Sequence, residues 1–209
     1  GGQLGSMLST AAKKLNIKTI IYSDDINAPA QNFCDEFIFG KYDEPEKIQE
    51  FINKVDKITY EFENIPYNTL NEINKKKPVL PKPSINRLIQ HRLAEKDFIN
   101  KLNIRTTQYT LVEKKTDLDS LNDLLPGILK TTTMGYDGKG QYPIKEIKDI
   151  DSLNIDFSKG YILEKLVKLK KEISVIITRF SNNNYEIYEP IENTHEDQIL
   201  KYSKIPAEI

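Results

Sequence analysis

Two rhythms of apolar positions alternate along the first third of the chain. Met7, Leu8, Ala11, Ala12 and Leu15 fall at helical spacing and predict a helix over 6–15. The run Ile17-Lys18-Thr19-Ile20-Ile21-Tyr22, closed by Asp24-Asp25, is too short for a helix and predicts a buried parallel strand. A second short strand follows at 36–39. Pro45 is suited to the first position of a helix carrying Ile48, Phe51 and Ile52. A third strand is predicted over 57–61, and Pro66 opens another helix. Strands alternating with helices at this spacing wind a parallel sheet through right-handed crossovers.

The stretch Lys77-Pro78-Val79-Leu80-Pro81-Lys82-Pro83 interrupts this alternation and marks a boundary, giving domains 1–80 and 81–209. Beyond it Ser84 is a candidate helix cap, and Leu93, Phe98, Ile99 and Leu102 predict a helix over 92–102. Strands are expected at 108–112, 128–130, 161–164, 172–179 and 185–191, with a helix around 116–125. The fold class is therefore α/β, with a parallel-sheet, Rossmann-like first domain and an α+β second one.

Composition removes several alternatives. Thirty Lys and Arg against 31 Asp and Glu leave a net charge of −1, so no broad basic footprint for nucleic acid exists. There is no apolar run of membrane-spanning length. Cys34 is the sole cysteine and cannot form an internal disulfide, which suits a reducing compartment such as the cytoplasm. It reads as a small packing residue, because neither histidine pairs with it as a base.

Two segments carry candidate chemistry. The chain opens on Gly1-Gly2-Gln3-Leu4-Gly5, which matches the end of a phosphate loop of the G-x-G-x-x-G kind. With Gly5 as the last glycine and Gly2 as the middle one, the first falls before residue 1, so the expectation is a fragment lacking the preceding strand. The second segment runs Gly127-Ile128-Leu129-Lys130-Thr131-Thr132-Thr133-Met134-Gly135-Tyr136-Asp137-Gly138-Lys139-Gly140-Gln141. An apolar strand ends in a lysine and a glycine-rich loop follows. Glycines let backbone N–H groups approach phosphate oxygens, and lysine adds a compact positive charge. Taken alone, the segment reads equally as a glycine-rich hairpin with a solvated lysine. Glu164 lies 34 residues beyond Lys130, at the end of Tyr161-Ile162-Leu163-Glu164, and Glu172 opens a strand eight residues further on. Each glutamate alone also reads as a solvated strand-end carboxylate.

The order of these parts resembles the ATP-grasp ligases of the N5-carboxyaminoimidazole ribonucleotide synthetase family. The resemblance rests on 135–141, on Thr59-Tyr60-Glu61-Phe62-Glu63-Asn64-Ile65-Pro66, on His91-Arg92-Leu93-Ala94-Glu95-Lys96, and on Glu189-Pro190-Ile191-Glu192-Asn193-Thr194-His195-Glu196 with the residues after it. It covers the chain from residue 1 to about 205. It implies a pre-ATP-grasp domain followed by an incomplete ATP-grasp domain. It implies ATP contacts at Arg92, Lys130, Gly135, Tyr136, Asp137, Gly138, Lys139, Gly140, Gln141, Glu164, Lys165, Leu166, Val167, Glu172 and His195, with Glu164 and the backbone of the connection after it on the adenine edge and Glu172 on the ribose. Gln3, Leu4, Glu61 and Glu63 would face the ribonucleotide, and Asp137, Tyr136 and Lys139 the reaction itself.

The implied chemistry is carboxylation of 5-aminoimidazole ribonucleotide with bicarbonate and ATP, assisted by Mg2+, in a cytoplasmic homodimer of purine biosynthesis. No metal ligand is expected within 1–209. The magnesium-holding residues are expected beyond Ile209, so these residues alone are expected to be inactive. Thr131 to Met134 occupy a stretch where many relatives read Arg-Arg-x-Gly, and Leu166-Val167-Lys168 lacks a glycine common at that hinge. Two other readings remain open. One is a formate-using glycinamide ribonucleotide transformylase, which carries small residues in place of Tyr136-Asp137; the other is a non-catalytic nucleotide-binding module.

Overall fold

The computed structural model describes residues 1–135, 140–181, 183–196 and 199–209. The chain divides into two compact units, Gly1–Leu102 and Asn103–Ile209.

In the first unit α1 (Gln3–Lys14) leads to β1 (Ile20–Ser23), β2 (Glu36–Phe39), α2 (Pro45–Lys54), β3 (Ile58–Thr59), α3 (Tyr67–Lys76), β4 (Val79–Leu80), α4 (Pro83–Ile89) and α5 (Arg92–Lys101). β1 pairs with β2 and β3 with β4, both in parallel, as the alternating rhythm predicts. Ile52, Ile58, Leu70, Ile73 and Val79 form the buried cluster, with Ile48, Phe51, Val55, Tyr60 and Ile65 packed on it.

Several boundaries differ from the pattern reading. α1 starts at Gln3, not residue 6, because the Gly2 carbonyl already accepts the Ser6 N–H at 3.1 Å. The strand expected from 17 begins only at Ile20. The intervening residues end the helix: Asn16 is left-handed (φ 55°), and the Ile17 N–H returns to the Ala12 carbonyl at 3.0 Å. The division between units falls after Leu102, where the prolines had suggested 80/81. Pro83 is the first residue of α4, with Lys82 as the cap position in place of Ser84. Asn86 is fully buried and donates to the Ile65 carbonyl at 3.0 Å, and Gln90 donates to the same carbonyl at 2.7 Å. These bonds tie α4 to the loop after β3.

The second unit contains β5 (Tyr109–Val112), β6 (Gly127–Thr131), β7 (Gln141–Ile144) and β8 (Tyr161–Lys165), an antiparallel sheet in the order β5-β8-β6-β7. It continues with β9 (Glu172–Ser174), β10 (Ile177–Arg179), β11 (Tyr185–Ile187), β12 (Ile191–Glu196) and β13 (Ile199–Lys204). β13-β12-β9 form a second antiparallel sheet, and β10-β11 a separate hairpin.

The helix expected over 116–125 is instead a pair of 3-10 turns, Lys115–Ser120 and Asn122–Leu124. Its apolar residues Leu118, Leu121 and Leu124 recur every third position, the repeat of a 3-10 helix. Asp117 anchors the first turn by accepting the Glu113 and Lys114 N–H groups at 2.9 and 3.0 Å. The strand expected over 172–179 is broken at Val175 and Ile176, where the chain leaves one sheet for the hairpin. That expected over 185–191 stops before Pro190, which has no N–H to give a ladder.

Register assigns the two faces of the four-stranded sheet. Val112, Leu129, Ile144, Tyr161 and Leu163 share one face and, with Leu118 and Ile150, make the core. Tyr109, Ile128, Lys130, Gln141, Ile162 and Glu164 share the other.

Candidate functional site

In the first unit the candidate residues gather at the C-terminal ends of the strands and the N-terminus of α1. The Gly1 nitrogen donates to Glu61 Oε1 at 3.2 Å. A Cβ on Gly5 would lie 3.2 Å from the same oxygen and 3.3 Å from Ala30 Cβ, so a glycine there lets the carboxylate approach the first turn of the helix. A Cβ on Gly1 would meet Ser23 Oγ at 2.6 Å, which seats Gly1 against the end of β1.

Gln3 and Leu4 belong to the first helical turn and are exposed, where the sequence places them in a loop. Glu63 is exposed in the loop after β3, its carbonyl held by the Gln90 amide at 2.6 Å. Tyr42 joins this group unforeseen. Its hydroxyl pKa is raised by burial and then by the charges of Asp24 and Glu61. Burial, with Glu44, Asp24 and Asp43 adding to it, also pushes Tyr22 up to about 12. No spacing or motif flagged these tyrosines, Tyr22 on β1 and Tyr42 in the turn after β2.

In the second unit Lys130 and Glu164 are brought together. Ile128 sits opposite Glu164, and Lys130 opposite Ile162, so lysine and glutamate are diagonal neighbours on one face of β6 and β8. The Lys130 ammonium donates to Glu164 Oε2 at 2.9 Å, and Glu164 is 7% exposed. Two glycines with positive φ shape the stem beyond Lys130. Gly140 (φ 67°) accepts the Thr131 N–H at 2.9 Å, and Gly160 (φ 67°) accepts the Thr132 N–H at 3.1 Å. A Cβ on Gly140 would lie 2.6 Å from Thr131 Oγ1. Thr131 and Thr132 are buried, so the stretch that departs from Arg-Arg-x-Gly packs inward at these two positions. At its end Met134 holds a left-handed φ of 58°, a conformation suited to glycine. Gln141 pairs with Lys130 across β6 and β7.

Tyr136, Asp137, Gly138 and Lys139, which include all three expected catalytic residues, lie outside the described residues. In the connection after β8, the Lys165 N–H is taken by the Gln108 carbonyl and the Leu166 N–H by the Pro126 carbonyl, both at 2.9 Å. Of the three expected backbone contacts, these two donors are therefore spent inside the unit. Lys165, Leu166 and Val167 are all exposed.

Glu172 and His195 meet on the second sheet, with Glu172 Oε2 2.5 Å from His195 Nδ1. Glu172 faces Asn193, two residues before His195 on β12. Arg92 is the first residue of α5 in the first unit, where His91 Nδ1 caps the helix by accepting the Ala94 N–H at 3.4 Å. Magnesium finds no site among the described residues: no group of three or more His, Cys, Asp or Glu side chains could hold a metal. Nor, among them, is any helix long and apolar enough to cross a membrane.

The chain thus joins a parallel α/β unit to one whose antiparallel sheet carries a lysine–glutamate pair beside a glycine-rich stem. The ribonucleotide synthetase preATP-grasp domain matches residues 1–90, and the ATP-grasp domain matches residues 97–209. The chain belongs to the ATP-grasp family.

Its relatives are more particular. The N5-carboxyaminoimidazole ribonucleotide synthase of Brucella melitensis is 36% identical over all of this chain and 59% of its own length. That of Staphylococcus aureus strain COL is 34% identical over all of this chain and 57% of its own. The solved structure of the N5-carboxyaminoimidazole synthetase from Staphylococcus aureus complexed with ADP superposes with a TM-score of 0.94 at 34% identity, covering all of this chain and 57% of that one. The chain thus spans under two thirds of the length of these relatives.

Proposed function

We propose that the protein carboxylates 5-aminoimidazole ribonucleotide with bicarbonate at the expense of ATP, giving N5-carboxyaminoimidazole ribonucleotide, ADP and phosphate. One observation carries the reading. The partly buried Lys130–Glu164 pair stands beside the glycine stem in a chain that matches relatives of that name over its whole length.

In the proposed sequence a bicarbonate oxygen attacks the γ-phosphorus, the bond to ADP breaks, and carboxyphosphate forms. The exocyclic amine of the ribonucleotide then takes the carboxyl group and phosphate leaves. Lys130 and Lys139 are assigned to the phosphates, where fixed positive charge counters the charge that develops in phosphoryl transfer. Arg92, the glycines of 135–140 and Gln141 are assigned to the same nucleotide. Glu164, Lys165, Leu166 and Val167 are assigned to the adenine edge and Glu172 to the ribose, with His195 on the same nucleotide. Asp137, beside Tyr136, orients the amine and accepts its proton.

Gln3, Leu4, Glu61 and Glu63 are assigned to the ribonucleotide. The N-terminus of α1 supplies N–H groups and a positive dipole end for a phosphate, and carboxylates at strand C-termini are where α/β sheets bind ligands. Magnesium belongs to the proposal as phosphate counter-ion, with no described residue assigned to it. A cytoplasmic location and a homodimer complete the reading, the first consistent with a single unpaired cysteine.

The test is ADP release by the full-length protein with each substrate omitted in turn. Turnover is expected only with bicarbonate and the aminoimidazole nucleotide together. Turnover with formate and glycinamide ribonucleotide would overturn the assignment.

A further inference from the structure

We propose that Gln90 is a positioning residue that couples the two ligands: it ties the loop presenting Glu61 and Glu63 to Arg92, so that binding of one ligand prepares the protein for the other. The inference rests on the ribonucleotide and nucleotide assignments made above and adds a link between them.

The loop 61–66 follows β3 and holds itself only weakly, the Ile65 N–H reaching the Phe62 carbonyl at 3.5 Å. Its firmer bonds come from α4. Gln90 Nε2 donates to the Glu63 carbonyl at 2.6 Å and to the Ile65 carbonyl at 2.7 Å, and Asn86 Nδ2 donates to the Ile65 carbonyl at 3.0 Å. Both protons of the glutamine amide are thus engaged on the loop, and both lone pairs of the Ile65 carbonyl are filled. Asn86 is fully buried, and its Oδ1 finds no hydrogen-bond partner among the described residues. A buried acceptor left unpaired is destabilising. Asparagine at this position therefore serves the bond it donates, not the packing.

The same glutamine stands two residues before Arg92, with no linker between. Gln90 closes α4, its N–H on the Asn86 carbonyl at 3.0 Å. His91 opens α5 at once: its Nδ1 accepts the Ala94 N–H at 3.4 Å, and its carbonyl accepts the Glu95 N–H at 3.0 Å. The backbone between the amide clamp and Arg92 is held at both ends by helix bonds, and two residues span at most about 7 Å. A displacement of the loop is passed to the first turn of α5. Ordering a loop on binding carries an entropic cost. A ligand that orders it from one end lowers that cost for a ligand arriving at the other.

The experiment measures Kd for ADP by calorimetry on the full-length protein, without and with saturating 5-aminoimidazole ribonucleotide. In the parent the ribonucleotide is expected to tighten ADP about fivefold or more, and ADP to tighten the ribonucleotide by the same factor, because coupling is reciprocal. Gln90→Met keeps the length of the side chain and removes both donors, and its ratio is expected to fall to about one. Amide hydrogen exchange across 61–66 reads the same link. ADP alone should slow it in the parent and leave it unchanged in the variant; equal slowing in both counts against the proposal.

A parent that binds both ligands with a ratio of about one overturns the proposal. So does a parental ratio in Gln90→Met, even where an affinity or the melting midpoint falls, since that is the mark of a merely structural role. If the parent binds no ribonucleotide, the proposed function itself fails, a different result from lost coupling. Should Gln90→Met melt below the assay temperature, Gln90→Glu replaces it, keeping the shape while turning the donors into acceptors. Its ratio is also expected to be about one, and a parental ratio there counts against the proposal.

Discussion

Gly127 begins β6 with almost no room above its Cα. A Cβ there would stand 2.7 Å from the Leu124 carbonyl oxygen, 2.8 Å from the Glu164 carbonyl oxygen and 3.0 Å from Leu163 Cδ1. Ordinary contacts begin near 3.4 Å, so the two backbone atoms must retreat by about 0.7 and 0.6 Å in Gly127→Ala. One ends the 3-10 turn before β6; the other belongs to β8, which lies between β5 and β6 in the sheet. Neither is the far end of a flexible side chain that could swing aside. Overpacking of this kind costs roughly 1–3 kcal/mol. At about 2–4 °C per kcal/mol for a protein of this size, the melting midpoint should fall by several degrees. Because Glu164 itself must shift, ADP affinity should fall as well. Calorimetric melting and ADP titration of the same variant test both effects. An unchanged midpoint would refute the steric argument. A lowered midpoint with unaltered ADP binding would show that β8 absorbs the displacement without moving the lysine pair.

Other expectations follow from single features. Asp149 is held below the usual carboxylate range by the Glu146 and Lys145 N–H groups, so its contribution is present above the unfolded pKa and lost as pH falls through the folded one. Asp149→Asn should therefore flatten the decline of stability below about pH 4, and an equally steep acid limb in the variant would contradict this. Met134→Gly relieves the left-handed strain at φ 58° and should leave stability level or raise it by up to about 1 kcal/mol, measured by urea unfolding. A clear loss would mean that Met134 makes contacts worth more than the strain. Asp137→Asn should cut carboxylation about 10²–10⁴-fold while ADP affinity holds; normal carboxylation removes Asp137 from the mechanism.

Local rules were legible wherever one residue decides the outcome. Pro45 opens α2, and the 36–39 strand is found at the expected residues. Two of the misses share a cause: long-range partners redefined what local signals meant. The proline cluster read as a linker, yet the loop after β3 captures Asn86 and draws α4 into the first unit. The run at 172–179 is apolar enough for one strand, but its two halves have different neighbours in β12 and β11. At the site, sequence placed Lys130 and Glu164 with ATP but could not show them bonded, because diagonal register is invisible 34 residues apart.

The two-faced sheet implies a rhythm in how substitutions are tolerated. Along β6 the residues alternate between the core face, at Gly127, Leu129 and Thr131, and the opposite face, at Ile128 and Lys130, to which the proposed nucleotide is assigned. A saturation library of the full-length gene, sorted separately for cellular abundance and for growth without purines, should therefore split by parity. Odd positions would deplete in both sorts, Lys130 in the growth sort alone. Along β8 the same dyad pattern should recur with Tyr161 and Leu163 opposed to Glu164. A strand two residues apart in function would in this way be read from fitness alone, with no ligand in hand.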